Sequence, residues 1–294
     1  MSNELIAGIE LGGTKTICLV GQRGQLASFE KKIIPTTSPN ETLDEVATFL
    51  QTFPKIASIG VGAFGPVDIV PGSNHYGALQ NTPKPGWKNF NIYTYFSRKF
   101  QCPVIIDTDV NAAALAEYTA GAGKDLNNFI YVTVGTGIGG SAFIDGKALK
   151  GRGHPEMGHI ALPRDETDLA FTSACPFHAN CAEGLASGKA IAMRWGKPLN
   201  QFPKDSAPWA LQARYLSQFY HNLMLLFSPQ RIICGGGVSS EALLKQVRQN
   251  LISRINGYVH GINAVEDLQD YLVLPALEGD AGPLGSFLLN QYAP

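Results

Sequence analysis

Long apolar runs, a surplus of charge of either sign and a secretory leader are all missing from this sequence. Its 294 residues hold 23 lysines and arginines against 24 aspartates and glutamates, a net charge of −1, so it offers no electrostatic footprint for nucleic acid or for an anionic membrane. No apolar run approaches the about 20 residues of a membrane span. Glu4 precedes a strand-like run that continues into a glycine turn, unlike a signal peptide. We therefore expect a cytoplasmic protein that binds neither nucleic acid nor membrane.

Cysteine is also scarce. The chain has five, an odd number, and three of them lie in or beside apolar strand-like runs, where we expect reduced core residues: Cys18, Cys102 and Cys234. Cys175 and Cys181 have a different setting. They bracket His178 in a C-x2-H-x2-C pattern.

What the sequence does contain is a short glycine turn that occurs twice. One copy spans residues 9–15, Ile-Glu-Leu-Gly-Gly-Thr-Lys, and the other spans residues 134–140, Val-Gly-Thr-Gly-Ile-Gly-Gly, each between apolar runs. Glycine permits a tight turn that approaches a ligand closely, and exposed N–H groups in such a turn suit a phosphate. The alternative is two ordinary β-turns, which the repetition in matching context disfavours.

The two turns lie in two halves with a similar order of elements. Strands are predicted from apolar runs at about residues 5–11, 16–21, 26–34, 56–63, 103–107, 129–134, 140–145, 159–162, 231–234 and 271–274. Helices are predicted from amphipathic spacing and end signals at about residues 39–53, 110–120, 184–195, 206–227, 240–255 and 282–292. The first of them begins with Ser38, Pro39 and Glu41, a capping box.

The order βββαβαβα, written twice, predicts an α/β protein with mixed sheets. It is the order of the duplicated actin-like ATPase (ribonuclease H-like) fold, in which two lobes with a cleft between them close over a nucleotide. We place the first lobe at residues 1–115 and the second at 116–280, with an insertion at about 150–185, and leave open whether a C-terminal helix at 281–294 packs back on the first. A Rossmann domain with an appendage is disfavoured, because neither glycine run reads G-x-G-x-x-G at the start of a helix.

A third glycine cluster follows the strand at residues 231–234. Gly235, Gly236, Gly237 and Val238 precede a helix capped by Ser239 or Ser240. Glycines there let a flat ligand lie against the backbone near a helix N-terminus, which indicates an adenosine contact. A glycine loop with no ligand remains the alternative.

The Cys-rich segment predicts a metal site. His159, Cys175, His178 and Cys181 form a four-ligand set, and a closed Cys₂His₂ site would hold a structural Zn²⁺ in a loop with little core of its own. The alternatives are two buried thiols or a disulfide. His154 and His75 are spare candidate ligands.

Several acidic and amide side chains could act on a sugar. Asp109 lies where a buried strand passes into a helix, a position from which it could orient a hydroxyl and take its proton. Asn111 could bind a polyol. The alternative is that Asp107 and Asp109 only cap the helix. Glu156 and Glu183, beside the metal loop, could hold sugar hydroxyls, although Glu183 could equally cap a helix.

Together these residues resemble the ROK family of sugar kinases and sugar-responsive repressors, over essentially the whole chain. The markers are residues 10–15, 65–68 (Gly-Pro-Val-Asp), 108–113 (Thr-Asp-Val-Asn-Ala-Ala), 135–140, 156–159 (Glu-Met-Gly-His), the Cys/His set and 235–238. The C-P-x-H-x-x-C form, followed by Glu183-Gly-Leu-Ala-Ser-Gly188, is similar to the bacterial fructokinase branch.

The resemblance implies Asp109 as catalytic base and zinc at the Cys/His set. It implies sugar contacts at Gly65, Asn81, Asn111, Glu156, His159 and Glu183. It implies nucleotide contacts at Gly12, Gly13, Thr14, Lys15, Thr136, Gly137, Gly235, Gly236, Gly237, Val238 and Ser239. The implied activity is transfer of phosphate from ATP, with Mg²⁺, to the 6-hydroxyl of D-fructose by a homodimer.

Two residues depart from the family pattern. Glu10 stands where most members have Asp, although the fructokinase branch is similar here; either carboxylate could hold Mg²⁺, directly or through water. Lys189 stands where that branch has Pro, which either removes a nucleotide contact or adds a cation near the phosphates.

Three alternatives stay open. The acceptor could be mannose, glucose or N-acetylmannosamine. A sugar-sensing repressor of the same family is disfavoured, because the first strand begins near residue 5 and leaves no room for a helix-turn-helix. An actin-like assembly protein is disfavoured by the acidic set and the metal loop.

Overall fold

The computed structural model describes residues 4–293. Within them, two five-stranded sheets are surrounded by helices, so the α/β prediction is confirmed. None of the helices in this range is both long and apolar enough to cross a lipid bilayer.

The first sheet has the strand order β3-β2-β1-β4-β5. Its strands are β1 Leu5–Leu11, β2 Lys15–Gln22, β3 Glu30–Pro35, β4 Ile56–Ala63 and β5 Val104–Thr108. The first three strands pair antiparallel, whereas β4 and β5 continue parallel to β1. The carboxyl ends of β1, β4 and β5 therefore share one edge.

The second sheet repeats that topology. Its strands are β6 Phe129–Val134, β7 Ile138–Ile144, β8 Lys147–Ala148, β9 Arg231–Gly235 and β10 Leu272–Val273, in the order β10-β9-β6-β7-β8. Strands β6, β7 and β8 pair antiparallel, whereas β9 is parallel to β6 and β10 is parallel to β9. The duplication expected from the glycine turns is thus present in the strand order itself.

The third strand of the second sheet is not where the sequence analysis placed it. Residues 159–162 were expected to form it, but Met157–His159 is a 3₁₀ helix and the strand is β8. Asp145 and Gly146 both have positive φ, 49° and 72°, as in the two-residue hairpin turn that Asp-Gly favours. That dipeptide ends β7 early and turns the chain straight back.

Eight α-helices complete the described part of the chain: α1 Pro39–Leu50, α2 Ile92–Phe100, α3 Asp109–Ala120, α4 Ala182–Ala186, α5 Gly188–Trp195, α6 Ala207–Phe227, α7 Glu241–Ile255 and α8 Ala281–Leu288. The capping box of α1 is confirmed. Helix α2 was not predicted. The helix expected at 184–195 is two helices, because Ser187 is extended and its hydroxyl caps α5 through Ala190 N at 3.2 Å.

The chain forms two compact units. The first contains the residues up to Ala120, Lys150–His154 and the residues from Gly279 onward; the second contains Gly121–Leu149 and Pro155–Glu278. In the first unit, α8 packs on α3, β1 and β4. Gly285 of α8 lies directly against Ala112 O, so only a glycine fits that crossing.

Candidate functional site

In the first unit, the glycine turn between β1 and β2 leaves its backbone exposed. Gly12 N donates to Lys15 O at 3.1 Å, closing a turn in which Gly13, Thr14 and Lys15 are exposed. The turn follows the carboxyl end of β1, the edge at which ligands of α/β sheets commonly bind. Its free N–H groups and the Lys15 ammonium suit an anion such as a phosphate.

Lys84 anchors this turn. Its Nζ donates to Gly13 O at 2.6 Å and to Thr36 O at 3.1 Å, while Thr36 N donates to Thr14 O at 2.9 Å. In a trans peptide the C=O and the next N–H point in opposite directions. By holding Gly13 O, Lys84 therefore turns Thr14 N–H away from itself.

Glu10, the last but one residue of β1, has a pKa raised from 4.5 to about 7. Burial is the main cause, and the nearby Asp109 carboxylate raises the pKa further, against smaller lowering effects of Lys15 and Lys31. A buried carboxyl group with a second carboxylate near it is a suitable environment for a divalent cation, which would favour the charged form.

Asp109 is the first residue of α3 and follows β5 directly. It is half-buried, and its Oδ1 accepts from Val110 N at 2.9 Å. Because β1 and β5 end at the same edge of the sheet, Asp109 lies on the same side as the first glycine turn. One carboxylate oxygen caps the helix, so capping and a chemical role are compatible.

Asp107 and Asn111 form a buried pair beside Asp109. Asn111 Nδ2 donates to Asp107 Oδ1 at 2.7 Å, and Lys150 Nζ lies 2.7 Å from Asp107 Oδ2. Both members of the pair are nearly inaccessible to solvent. The other predicted sugar contacts of this unit, Gly65 and Asn81, lie in the long loop after β4, where Asn81 is exposed.

In the second unit, three segments meet at the glycine turn between β6 and β7. Gly135 N donates to Gly137 O at 2.9 Å within the turn, and the first residues of α5 bind its carbonyls, Gly188 N to Gly135 O at 2.7 Å and Lys189 N to Thr136 O at 3.4 Å. Lys189 is thus placed beside the turn, with an exposed side chain.

The third glycine cluster, Gly235–Gly237, packs beside the second glycine turn. Val238 N donates to Val134 O at 2.9 Å, and Gly236, with φ 86°, lies against that carbonyl. Gly237 has no heavy atom within 4 Å of where a side chain would begin, so a ligand can approach its backbone. Ser240 is the residue that caps α7, through Leu243 N at 3.3 Å.

Glu183 braces the second turn. Its Oε2 accepts from Ile138 N at 3.0 Å and lies against Gly137. The carboxylate therefore binds a strand N–H from its place in the first turn of α4.

The four predicted metal ligands converge. The distances are 3.5 Å from Cys181 Sγ to His159 Nδ1, 3.8 Å from Cys175 Sγ to His159 Nδ1 and 3.6 Å from Cys175 Sγ to His178 Nδ1. All four ligand atoms lie within 4.8 Å of one another. A tetrahedral Zn²⁺ with ordinary bond lengths separates nitrogen and sulfur ligands by about 3.6 Å, so the donor set and its spacing fit that ion. The two cysteines are free thiols, which excludes the disulfide alternative in this structure.

The ligands come from a loop that other contacts hold in place. Ser173 Oγ donates to His178 O at 2.7 Å and accepts from Cys175 N at 3.2 Å. Cys181 Sγ accepts from Gly184 N at 3.3 Å at the start of α4. Glu156, whose carbonyl accepts from His159 N at 3.0 Å, has an exposed side chain next to this cluster. The spare candidates His154 and His75 are not members of it.

Sequence reasoning missed the residues that position the site. Lys84 and Lys150 act over long sequence separations and belong to no motif. A third case is buried Asp168, which receives both Arg194 Nε and Nη2, at 2.8 and 2.9 Å, and Tyr215 Oη at 2.7 Å, holding the metal-loop insertion against α5 and α6. Its only local signal is the 3₁₀ turn capped by Asp165.

Comparison with known proteins gives whole-chain matches. The model of the ROK family matches residues 6–292. A fructokinase of Zymomonas mobilis is 43% identical over 294 residues, covering 97% of this chain and 96% of its own length, and a fructokinase of Pediococcus pentosaceus is 38% identical over 291 residues, covering 98% of each. The crystal structure of a ROK hexokinase from Thermus thermophilus resembles this chain with a TM-score of 0.75 and 26% identity over 97% of both chains.

Proposed function

The chain belongs to the ROK family, and we propose that it is a fructokinase that transfers the γ-phosphoryl group of ATP to the 6-hydroxyl of D-fructose. The duplicated topology is that of the actin-like ATPase fold, and the two compact units correspond in the proposal to its two lobes. The observation that carries the proposal is the position of Asp109 at the carboxyl edge of β1, β4 and β5, on the side of the first phosphate-binding turn, in a chain 43% identical to a fructokinase.

Asp109 acts as the general base. It takes the proton of the 6-hydroxyl as that oxygen bonds to the γ-phosphorus, while the bond from the γ-phosphorus to the β,γ-bridging oxygen breaks and ADP leaves. The first turn, residues 12–15, and the second, with Thr136 and Gly137, supply N–H groups to the phosphates. Gly235–Ser239 lies against the adenosine, and Lys189 adds positive charge beside the second turn.

Six residues are assigned to sugar recognition, as the family resemblance implies: Gly65, Asn81, Asn111, Glu156, His159 and Glu183. His159 has Nδ1 on the metal-ligand cluster, which leaves its Nε2 for a hydroxyl.

Two metals belong to the proposal. Glu10 would hold Mg²⁺, directly or through water, and the ion would supply positive charge to neutralise the phosphates. His159, Cys175, His178 and Cys181 hold a structural Zn²⁺ that fixes the loop carrying Glu156, His159 and Glu183. The assembly expected from the family is a homodimer, which the molecular mass in solution tests.

The test of the activity is a panel of acceptors with Mg²⁺ and ATP. Fructose, mannose, glucose and N-acetylmannosamine are compared by ADP release, and we expect the highest kcat/KM for fructose. A higher kcat/KM for another hexose would contradict the assigned acceptor. If none of the four sugars leads to ADP release, the protein is not a sugar kinase of this class.

A further inference from the structure

The Asn111 side-chain oxygen is buried without a partner. The residue is 2% exposed, and its Oδ1 accepts no hydrogen bond from residues 4–293. Folded proteins pair nearly all buried polar atoms, because an unpaired one has given up water without a replacement. The oxygen would gain a hydrogen bond from a ligand that brings a donor to it.

Asp107 determines which end of the Asn111 amide faces that ligand. An ionised carboxylate only accepts hydrogen bonds, so it can bind the Nδ2 end of an amide but not its oxygen. Asp107 Oδ1 binds Nδ2 at 2.7 Å and Thr108 N at 2.8 Å. Its Oδ2 is 2.7 Å from Lys150 Nζ. With both oxygens engaged, the carboxylate is held in place and the amide cannot turn over.

We infer that Asp107 is a positioning residue for sugar recognition: it holds the NH₂ group of Asn111, so that the Asn111 oxygen faces the sugar as an obligate acceptor. The inference rests on the proposed function, in which Asn111 contacts the hexose. It adds the direction of that contact, because the sugar hydroxyl must donate. Asp107 itself touches no reacting atom.

The direction can be tested on the unaltered enzyme with sugar analogues. At each of carbons 1, 3 and 4 of fructose, the hydroxyl is replaced by hydrogen or by fluorine, which can accept but not donate. At the carbon facing Asn111 we expect kcat/KM to fall about tenfold, the loss of one hydrogen bond, for the deoxy and the fluoro analogue alike. Recovery with fluorine would show that Asn111 donates and would overturn the inference, as would full activity of all three deoxy analogues.

Variants of Asp107 separate a hydrogen bond from a charge effect. Asp107→Leu removes the acceptor for Asn111 Nδ2 and should raise the KM for fructose about tenfold while the KM for ATP stays within about twofold. Asp107→Asn keeps an oxygen for that contact and should stay within about threefold of the wild type. Asp44→Asn, which alters an exposed carboxylate paired with Lys99 at 2.8 Å, is the control and should change neither KM.

The outcomes decide the matter even if one variant fails to fold. Equal losses in Asp107→Leu and Asp107→Asn would assign the effect to charge and overturn the inference, as would an unchanged fructose KM in Asp107→Leu. If Asp107→Leu yields no folded protein by circular dichroism, Asp107→Asn and the analogue series still give a result. If the enzyme phosphorylates another hexose instead, the proposed acceptor fails, and the same series made from that hexose tests Asp107 separately.

Discussion

At the scale of single residues, Glu10 has an environment very different from that of a free carboxyl group. Its pKa is raised to about 7 by burial and then by Asp109. The folded protein therefore keeps a proton that the unfolded chain, with a carboxyl pKa of 4.5, releases. The contribution of Glu10 to stability therefore falls as the pH rises from about 4.5 to about 7.

Glu10→Gln should remove that dependence, because the amide is neutral at every pH. We expect the free energy of unfolding of the variant to exceed that of the wild type by at most about 3 kcal/mol at pH 8, and the difference to shrink towards pH 5. Urea unfolding without nucleotide or Mg²⁺ at the two pH values measures it. A difference that is the same at both pH values would show that Glu10 does not titrate in this range.

A substitution of Lys84 should affect nucleotide binding. Lys84→Met removes the ammonium that holds Gly13 O and Thr36 O, so the first turn should lose its fixed N–H directions. We expect the KM for ATP to rise about tenfold with the fructose KM little changed. Lys88→Met, in the same loop and exposed, is the matched control. If the two variants had equal kinetic constants, Lys84 would not position the first turn for ATP.

What the sequence could predict at this scale depended on whether partners are near in the chain. The Cys/His set was predictable, because Cys175, His178 and Cys181 are spaced at three-residue intervals and chelation requires few residue types. Lys84 binds a carbonyl 71 positions away. Lys150 pairs with Asp107, which lies where β5 passes into α3. Contacts of that kind leave no periodic or compositional trace.

At the scale of elements, the loop that carries the Cys/His set, residues 157–184, depends on side-chain bonding more than on regular structure. Short 3₁₀ turns and α4 are its only helices in the described chain, and a single backbone bridge joins Ala161 to Cys181. A bound metal would supply much of its folding free energy.

Cys181→Ser should abolish metal binding by the purified protein. We expect about one zinc per chain in the wild type and close to none in the variant by elemental analysis, together with faster proteolytic cleavage within residues 157–184. Cys102→Ser, which alters a half-buried thiol of the first unit, should keep its zinc. Wild-type protein without zinc, or a variant that retains it, would refute the site.

Element types were predicted better than their ends and interruptions. The runs at 56–63 and 129–134 match β4 and β6, because apolar continuity identifies a buried strand. The split between α4 and α5 was missed, because apolar and polar residues continue across Ser187 in helical order. The extended backbone of Ser187 and its hydroxyl bond to Ala190 N mark the break in the structure. Helix α2 has an Asn91 cap that was overlooked.

At the scale of the whole molecule, the duplicated strand order was the feature best predicted from the sequence. The same turn in the same context implied the same sheet twice. The bounds of the compact units were harder to derive. The last helix, α8, belongs to the first unit although Pro155–Glu278, which precede it, belong to the second. Its fit depends on glycines at Gly8, Gly60 and Gly285 that read as unremarkable in the sequence.

Gly285→Ala should destabilise the first unit. A methyl group there would meet Ala112 O, and such overpacking costs roughly 1–3 kcal/mol, more than the helix propensity of alanine returns. Gly279→Ala is the control, since nothing lies within 4 Å of that position. Urea unfolding should show a lower free energy only for Gly285→Ala; equal curves would mean that α8 does not pack as described.

The central claim, a sugar kinase whose base is Asp109, is tested most directly by following phosphate transfer with ³¹P NMR in a mixture of protein, Mg²⁺, ATP and fructose. We expect the ATP signals to be replaced by those of ADP and fructose 6-phosphate. We also expect Asp109→Asn to lower the rate by about 10²–10⁴-fold while the affinity for fructose stays close to that of the wild type. A wild type that forms no fructose 6-phosphate, or an Asp109→Asn variant that forms it at the wild-type rate, would contradict the account.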